Sequence, residues 1–382
     1  MKKLITLFFV CFVSHCVISQ AIYEEFDSYK LGENRKIKIQ LPRNYDADYK
    51  YGYPLVVVFD GDYLFEPVAG NIDYQSYWED IPDCVIVGIK QVDTREDDFA
   101  YDDMNFFPTE SGAAFYEFIG TELIPYMENN YNASNFRIVV GHDLGANFIN
   151  YFLFKELPLF RAYISLSPEF APEMVGRLSN KFGVLTQDTF YYMATADGDI
   201  RALKTEIETA NATLSNITNE KLHFNFDNFI DANHYSLVGR GIPKALNSIF
   251  SLYKPINRKE YDEKILTYEG SPFGYLMKKY EDLERIYGFK KQISENDIRA
   301  IAAASKKKND VESMQDLSKL ANRTFPKSML SAYYTGMYYE MSGNLNKALK
   351  KYQAGLLLEP SQFIDKDMML DKMYDLEEEL KN

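Results

Sequence analysis

The chain has 382 residues, 46% hydrophobic and 15% aromatic, enough apolar material for a large core with a smaller domain beside it, which excludes a disordered or fibrous chain. Its 42 basic and 56 acidic residues leave a net charge of −14, a balance that argues against nucleic acid and anionic lipid as partners. The N-terminus carries Lys2 and Lys3, the apolar run LITLFFVCFV and small residues about CVISQA. That is the grammar of a secretory signal, expected over residues 1–20 and cut near 19–21, which makes the mature chain periplasmic or secreted with no integral membrane segment. Cys11 and Cys16 fall in the signal, so Cys84 alone remains. Neither an internal disulfide nor a cysteine metal site is expected, and no metal or cofactor.

From about residue 21 to 257 strand-like and helix-like pieces alternate, the pattern of an α/β fold with a mostly parallel central sheet. RKIKIQLP alternates polar and apolar and predicts an edge strand, whereas YPLVVVFDGD and CVIVGIK are continuous apolar runs expected of strands buried on both faces. SGAAFYEFIGTELIPYMENNY has helical spacing, FRIVVGHD predicts another buried strand and ANFINYFLFKEL the helix after it. FRAYISLSP, TFYYMATADGD, the helix IRALKTEIETANATLSNI, LHFNFDNF and DANHYSL complete the first domain. Residues 258–382 turn to Lys/Glu-rich helices. SENDIRAIAAASKKK opens with capping-box spacing, and Gly336, Tyr339, Gly343, Ala348, Tyr352 and Pro360 stand where a tetratricopeptide repeat has its signature residues. This predicts an all-α, repeat-like second domain able to hold a protein partner; a plain helical extension is the other reading.

Chemistry is expected at the strand ends. In RIVVGHDLGAN a buried strand enters a tight turn in which Gly141, Gly145 and Ala146 supply small flanking residues, and a helix follows. This is the shape of a nucleophile elbow, but its central residue is Asp143 where such a turn usually carries serine. The amide of Leu144 would point at an oxyanion. His142 in the elbow and His223 in LHFNFDNF read as structural, the latter on the polar side of its strand.

Residues 22–255 resemble the esterase family that includes enterochelin esterases and esterase D relatives, within the α/β-hydrolase superfamily. The resemblance rests on LGENRKIKIQLPRNY, YPLVVVFDGD, VIVGIKQVDTREDD, IGTELIPYMENNY and SLSPEF occurring in the family's order. It implies an α/β-hydrolase fold and a small-molecule ester or acyl ligand. The serine of the family falls on Asp143, its acid on Asp197 or Asp199, its histidine on His234, and its loop arginine on Arg95. Oxyanion donors are then implied at the Leu144 amide and at an amide in the loop just after Asp60 and Gly61, with Asp60, Gly61 and Arg95 as oxyanion or pocket residues.

Aspartate changes the chemistry. Carboxylate attack on an ester would form an anhydride, higher in energy than the ester it replaces, so covalent ester hydrolysis by Asp143 is implausible. Three readings follow. The chain is an exported esterase-like hydrolase of carboxylic or thio esters in which Asp143 has another role; it is an inactive homologue that binds a ligand or, through its tail, a protein; or it displaces at saturated carbon as relatives resembling haloalkane dehalogenases and epoxide hydrolases do. The last draws leaving-group help from a cap bearing Trp or Tyr, and the one tryptophan, Trp78, is far from any cap position.

Overall fold

Eight strands form one sheet in the computed structural model, which describes residues 21–381. The expected signal segment lies outside the described residues. The two apolar runs became β3 (Tyr53–Val58) and β4 (Val85–Ile89), buried at every position. Alternate side chains feed two cores: Leu55, Val57, Val85 and Val87 face one, and Val56, Val58 and Ile86 the other. With no wet face, nothing selects for polar alternation.

The expected edge strand is corrected. β2 (Glu33–Gln40) is second in the sheet, because β1 (Ile22–Ser28), which the sequence did not announce, pairs antiparallel along it from Ile22↔Ile39 to Ser28↔Glu33. Lys36 and Lys38 suggested a solvent face, but Lys38 is buried and its ammonium meets Glu66 at 2.7 Å. Beyond β3 come β5 (Ala133–His142), β6 (Ala162–Leu166), β7 (Thr189–Gly198) and β8 (Leu222–Asn233), all parallel, giving the order β1-β2-β4-β3-β5-β6-β7-β8. The C-terminal ends of β3 to β8 therefore open on one side, and the candidate residues lie there.

The helix expected over 146–157 is shorter. Helical residues Leu144–Phe148 tighten into a 3-10 turn over Ile149–Leu153. Asn150 Nδ2 and Ser165 Oγ both donate to the Ala146 carbonyl, and such side-chain bonds compete with the helical ladder.

The C-terminal region is all-helical, with long helices at Pro272–Tyr287, Glu295–Lys307, Val311–Thr324, Met329–Met341, Leu345–Gly355 and Lys366–Glu379. Ser294 Oγ caps the second at the Asp297 amide, 3.1 Å. Gly336 is needed for close approach, since a Cβ there would stand 2.4 Å from the Tyr352 ring. Pro272–Tyr287 lies beyond the expected boundary at 257, yet Leu283, Ile286 and Tyr287 belong to the core beneath the sheet with Phe136 and Phe250. Arg285 fastens the same helix to Asp188 at 2.6 Å. Among the described residues no helix is long and apolar enough to cross a membrane.

Candidate active site

Asp143 sits at the crossing of β5 and the short helix with φ 59° and ψ −122°, a backbone that non-glycine residues rarely adopt. The turn is that tight because the two segments touch: a Cβ on Gly141 would lie 2.4 Å from the Gly145 carbonyl oxygen. The Asp143 amide bonds back to Leu166 on β6 and its carbonyl accepts from Ala146, Asn147 and Glu169. Leu144 is the first helical residue, where amides have no partner within the helix, so its N–H can serve a developing oxyanion.

Two groupings meet at the elbow. In the first, His234 Nδ1 lies 2.9 Å from Asp199 Oδ1, with the Asp199 side chain fully buried. Ser167 Oγ reaches both Asp199 oxygens at 2.9 and 2.7 Å and His234 Nδ1 at 3.0 Å; Thr195 Oγ1 and the Ile200 amide add further donors. Burial opposes ionisation of Asp199, but the bonds from His234, Thr195, Ser167 and Ile200 outweigh it and hold the carboxyl at about 2. Asp197 is the candidate the structure does not bring to the site. Its carboxylate points to Lys204 at 2.8 Å and Asn228 at 3.0 Å on the surface.

In the second grouping Arg95 bridges two carboxylates, Nε to Asp60 Oδ1 at 2.8 Å and an NH2 nitrogen to Asp143 Oδ2 at 3.2 Å. Asp60 also meets the Tyr63 hydroxyl at 3.1 Å, and that hydroxyl meets His142 Nδ1 at 3.0 Å. Burial pushes Asp60 up despite Arg95, and pushes Tyr63 far up, so the phenol stays neutral. The Gly61 amide itself is taken by the Ile89 carbonyl at 2.7 Å, and Gly61 approaches β4 so closely that a Cβ would lie 2.8 Å from Ile89 N, so Gly61 shapes the loop and donates nothing to an oxyanion. Arg95 holds Asp60 and Asp143, and the Asp60 amide offers no donor to the site because it bonds the Gln91 side chain.

Ser167 was missed as a site residue although its SLSP context was noted. A serine closing a buried strand was the available signal; in the structure its φ is 46°. It does not replace the absent nucleophile. It is buried and sits on the Nδ1 side of His234, the acid's side, whereas a nucleophile must face Nε2. Tyr63 stands in the aromatic-rich stretch DYLFEP after a core strand and Glu169 in SLSPEF, signals of position but not of role. His223 pairs with Asp188 at 3.0 Å, away from the site.

No three His, Cys, Asp or Glu among the described residues could hold a metal. Residues 171–188 between β6 and β7 carry a single helix, Met174–Gly183, where a larger cap would stand. Trp78 lines a cavity of about 970 Å3 with Tyr53 and Pro82, at the N-terminal ends of the strands. That cavity lies at the wrong end of the sheet for this chemistry.

Residues 28–208 match the esterase family model described as "Putative esterase". A crystal structure of a protein from Capnocytophaga ochracea DSM 7271 is 28% identical with TM-score 0.80, covering 94% of this chain and 100% of that one. An IroE-like serine hydrolase from Shewanella oneidensis is 21% identical, TM-score 0.57, covering 80% and 99%. The BES protein from Bacillus cereus is 21% identical, TM-score 0.53, covering 64% and 98%. Comparison with curated proteins finds no match. Residues 28–208, with the elbow at Asp143, thus resemble this esterase family, and the mostly parallel sheet with its helices is the fold of the α/β-hydrolase kind that these structures share.

Proposed function

We propose that the protein hydrolyses small carboxylic or thio esters by direct attack of water, with His234 as general base. The observation that carries this reading is the buried, fully bonded Asp199–His234 pair beside the elbow. Asp199 accepts the Nδ1 hydrogen and leaves Nε2 to take a proton from water. The hydroxide adds to the ester carbonyl, the oxyanion meets the Leu144 amide, and collapse expels the alkoxide, which recovers the proton from Nε2. Asp143 forms no bond to substrate. Anchored by Arg95, it orients the attacking water through a carboxylate oxygen. General-base assistance contributes about 10²–10⁴-fold, so turnover is slow beside that of a serine enzyme.

Two further parts belong to this reading. The N-terminal apolar run supports export, and the helical hairpins of residues 272–379 support a repeat-like surface for a protein partner. The inactive binding module is favoured by one observation, that Arg95 already occupies Asp143 Oδ2. Hydrolysis of a short-chain nitrophenyl ester by residues 21–382, beside Asp143→Ser and His234→Ala, separates the two. Native turnover lost in His234→Ala supports the water mechanism. Silence in the native chain with activity in Asp143→Ser sinks it and leaves a disarmed frame.

A further inference from the structure

The second grouping of the site has a proton count that does not close. His142 Nε2 lies 3.0 Å from the His234 carbonyl oxygen, and a carbonyl only accepts, so Nε2 carries a hydrogen. Nδ1 of the same ring lies 3.0 Å from the Tyr63 hydroxyl, which lies 3.1 Å from Asp60 Oδ2. A phenol has one hydrogen, and here it faces two acceptors. Given to Asp60, it leaves Nδ1 against the phenol lone pairs; given to Nδ1, it leaves the carboxylate against them. Both contacts become hydrogen bonds only with one more proton, on His142 as an imidazolium or on Asp60 as an acid.

The surroundings choose between these. His142 is 2% exposed, its ring 4.5 Å from that of His234, with an Arg95 nitrogen on its carbonyl at 3.3 Å and Asp143 next in the chain. Burial, then His234, push its pKa down to about 4. Asp60 is also 2% exposed, faces Arg95, Tyr63 and Asp143, and bonds Gln91 only through its amide. Arg95 is the one cation paired with either Asp60 or Asp143 among the described residues; the neighbouring Asp62 has its own partner in Lys90. Two carboxylates on one guanidinium leave one negative charge in excess in a buried place, and a proton on Asp60 removes it.

We propose that Asp60, Tyr63 and His142 hold one shared proton, resident on Asp60, and that through it Tyr63 and His142 act as positioning residues for His234. The acid hydrogen of Asp60 goes to Tyr63, the Tyr63 hydrogen to His142 Nδ1, and the Nε2 hydrogen to the His234 carbonyl, fixing the loop that carries the base. When the proton leaves, Tyr63 turns its hydrogen to Asp60, the Nδ1 contact becomes repulsive, and Arg95 is drawn from Asp143 toward Asp60. The count stands by itself; only its effect on turnover rests on the hydrolase reading above.

The test is nuclear magnetic resonance of the ring nitrogens of His142 and the carboxyl carbon of Asp60 across a pH titration of the chain. Asp60 is expected to titrate above the ordinary carboxylate range. His142 stays neutral and protonated on Nε2 over that window, while its Nδ1 resonance moves in step with Asp60. In Tyr63→Phe the step at His142 vanishes. An Asp60 that titrates at or below the ordinary value, or an imidazolium at His142 in that window, overturns the proposal. Stability gives a second readout. A raised folded pKa adds stability that is full below the unfolded value and is lost as pH rises through the folded one. Asp60→Asn, whose amide donates to Tyr63 and accepts from Arg95 as the acid does, keeps the native unfolding midpoint in acid and abolishes that loss. A midpoint as low as that of Asp60→Ala in acid means the ionised carboxylate was needed, which also overturns it. An ester-inactive native chain with the expected resonances supports the proton count and overturns the hydrolase reading alone.

Discussion

Asp199 shows how four donors overcome burial. Its carboxyl is held at about 2, below its ordinary value of 3.8, so its contribution to stability is present above the unfolded value and is lost as pH falls through the folded one. The shift corresponds to about 2 kcal/mol. Asp199→Asn is therefore expected to lower the thermal midpoint at neutral pH and to flatten the loss between pH about 4 and about 2, read by thermal unfolding across pH. Within the proposed mechanism His234→Ala lowers kcat by about 10²–10⁴ with KM little changed, because the base acts in the transition state. Asp143 was legible because a buried strand entering a small-residue turn is a local pattern, and His234 because ANHYSL resembles the histidine segment of the esterase family. The choice between Asp197 and Asp199 was not. Strand alternation would send both the same way, but β7 ends at Gly198 and the chain turns there, the Asp199 amide bonding the Ala196 carbonyl, so Asp199 reaches Thr195, Ser167 and His234 while Asp197 stays on the surface. Where a strand stops beside a glycine flanked by two aspartates is set by its neighbours, and ATADGD does not say which carboxylate the turn carries inward.

Among the elements, the helix Pro272–Tyr287 has a double allegiance. Tyr287 is 1% exposed, donates to the Ile249 carbonyl at 2.7 Å, and meets Phe136 at 5.0 Å and Phe250 at 5.5 Å between ring centroids. Cutting the chain at 257 would strip Leu283, Ile286 and Tyr287 from a core that the sheet shares with them, so that truncation is expected to give insoluble or molten protein. Removal of residues 292–382 keeps the helix and is expected to leave the sheet domain folded, with circular dichroism and a cooperative urea transition as the check. Tyr287→Ala in the full chain costs about 3–5 kcal/mol in the same transition, the range for deleting a buried aromatic. The composition change near residue 258 was plain in the sequence, yet it marks where strands stop, not where one core ends. Helical periodicity reports that a face is apolar and is silent on which neighbour covers it. The edge strand β1 escaped notice for a related reason. Most of its side chains are exposed or half-buried, so IYEEFDS has no apolar run, and its backbone pairing with β2 is what makes it a strand.

The whole molecule carries −14, and the site adds to that sign locally. Glu169 and Glu206 have pKa values raised by burial and then by their acidic neighbours, Asp143 for the first and Glu169 for the second. A cleft lined by one sign of charge concentrates ligands of the other sign and slows association of its own, by about 10–10³-fold at low ionic strength. If esters are turned over at His234, a cationic ester should exceed an anionic one of equal size in kcat/KM by at least about tenfold in dilute buffer. Salt should narrow that ratio from both sides, lowering kcat/KM for the cation and raising it for the anion, since exposed charges are screened over a Debye length of about 10 Å at 0.1 M. A ratio indifferent to salt would assign the preference to shape and not to charge. A ratio favouring the anion would mean that Arg95 is free to greet substrate, which its bonds to Asp60 and Asp143 do not allow.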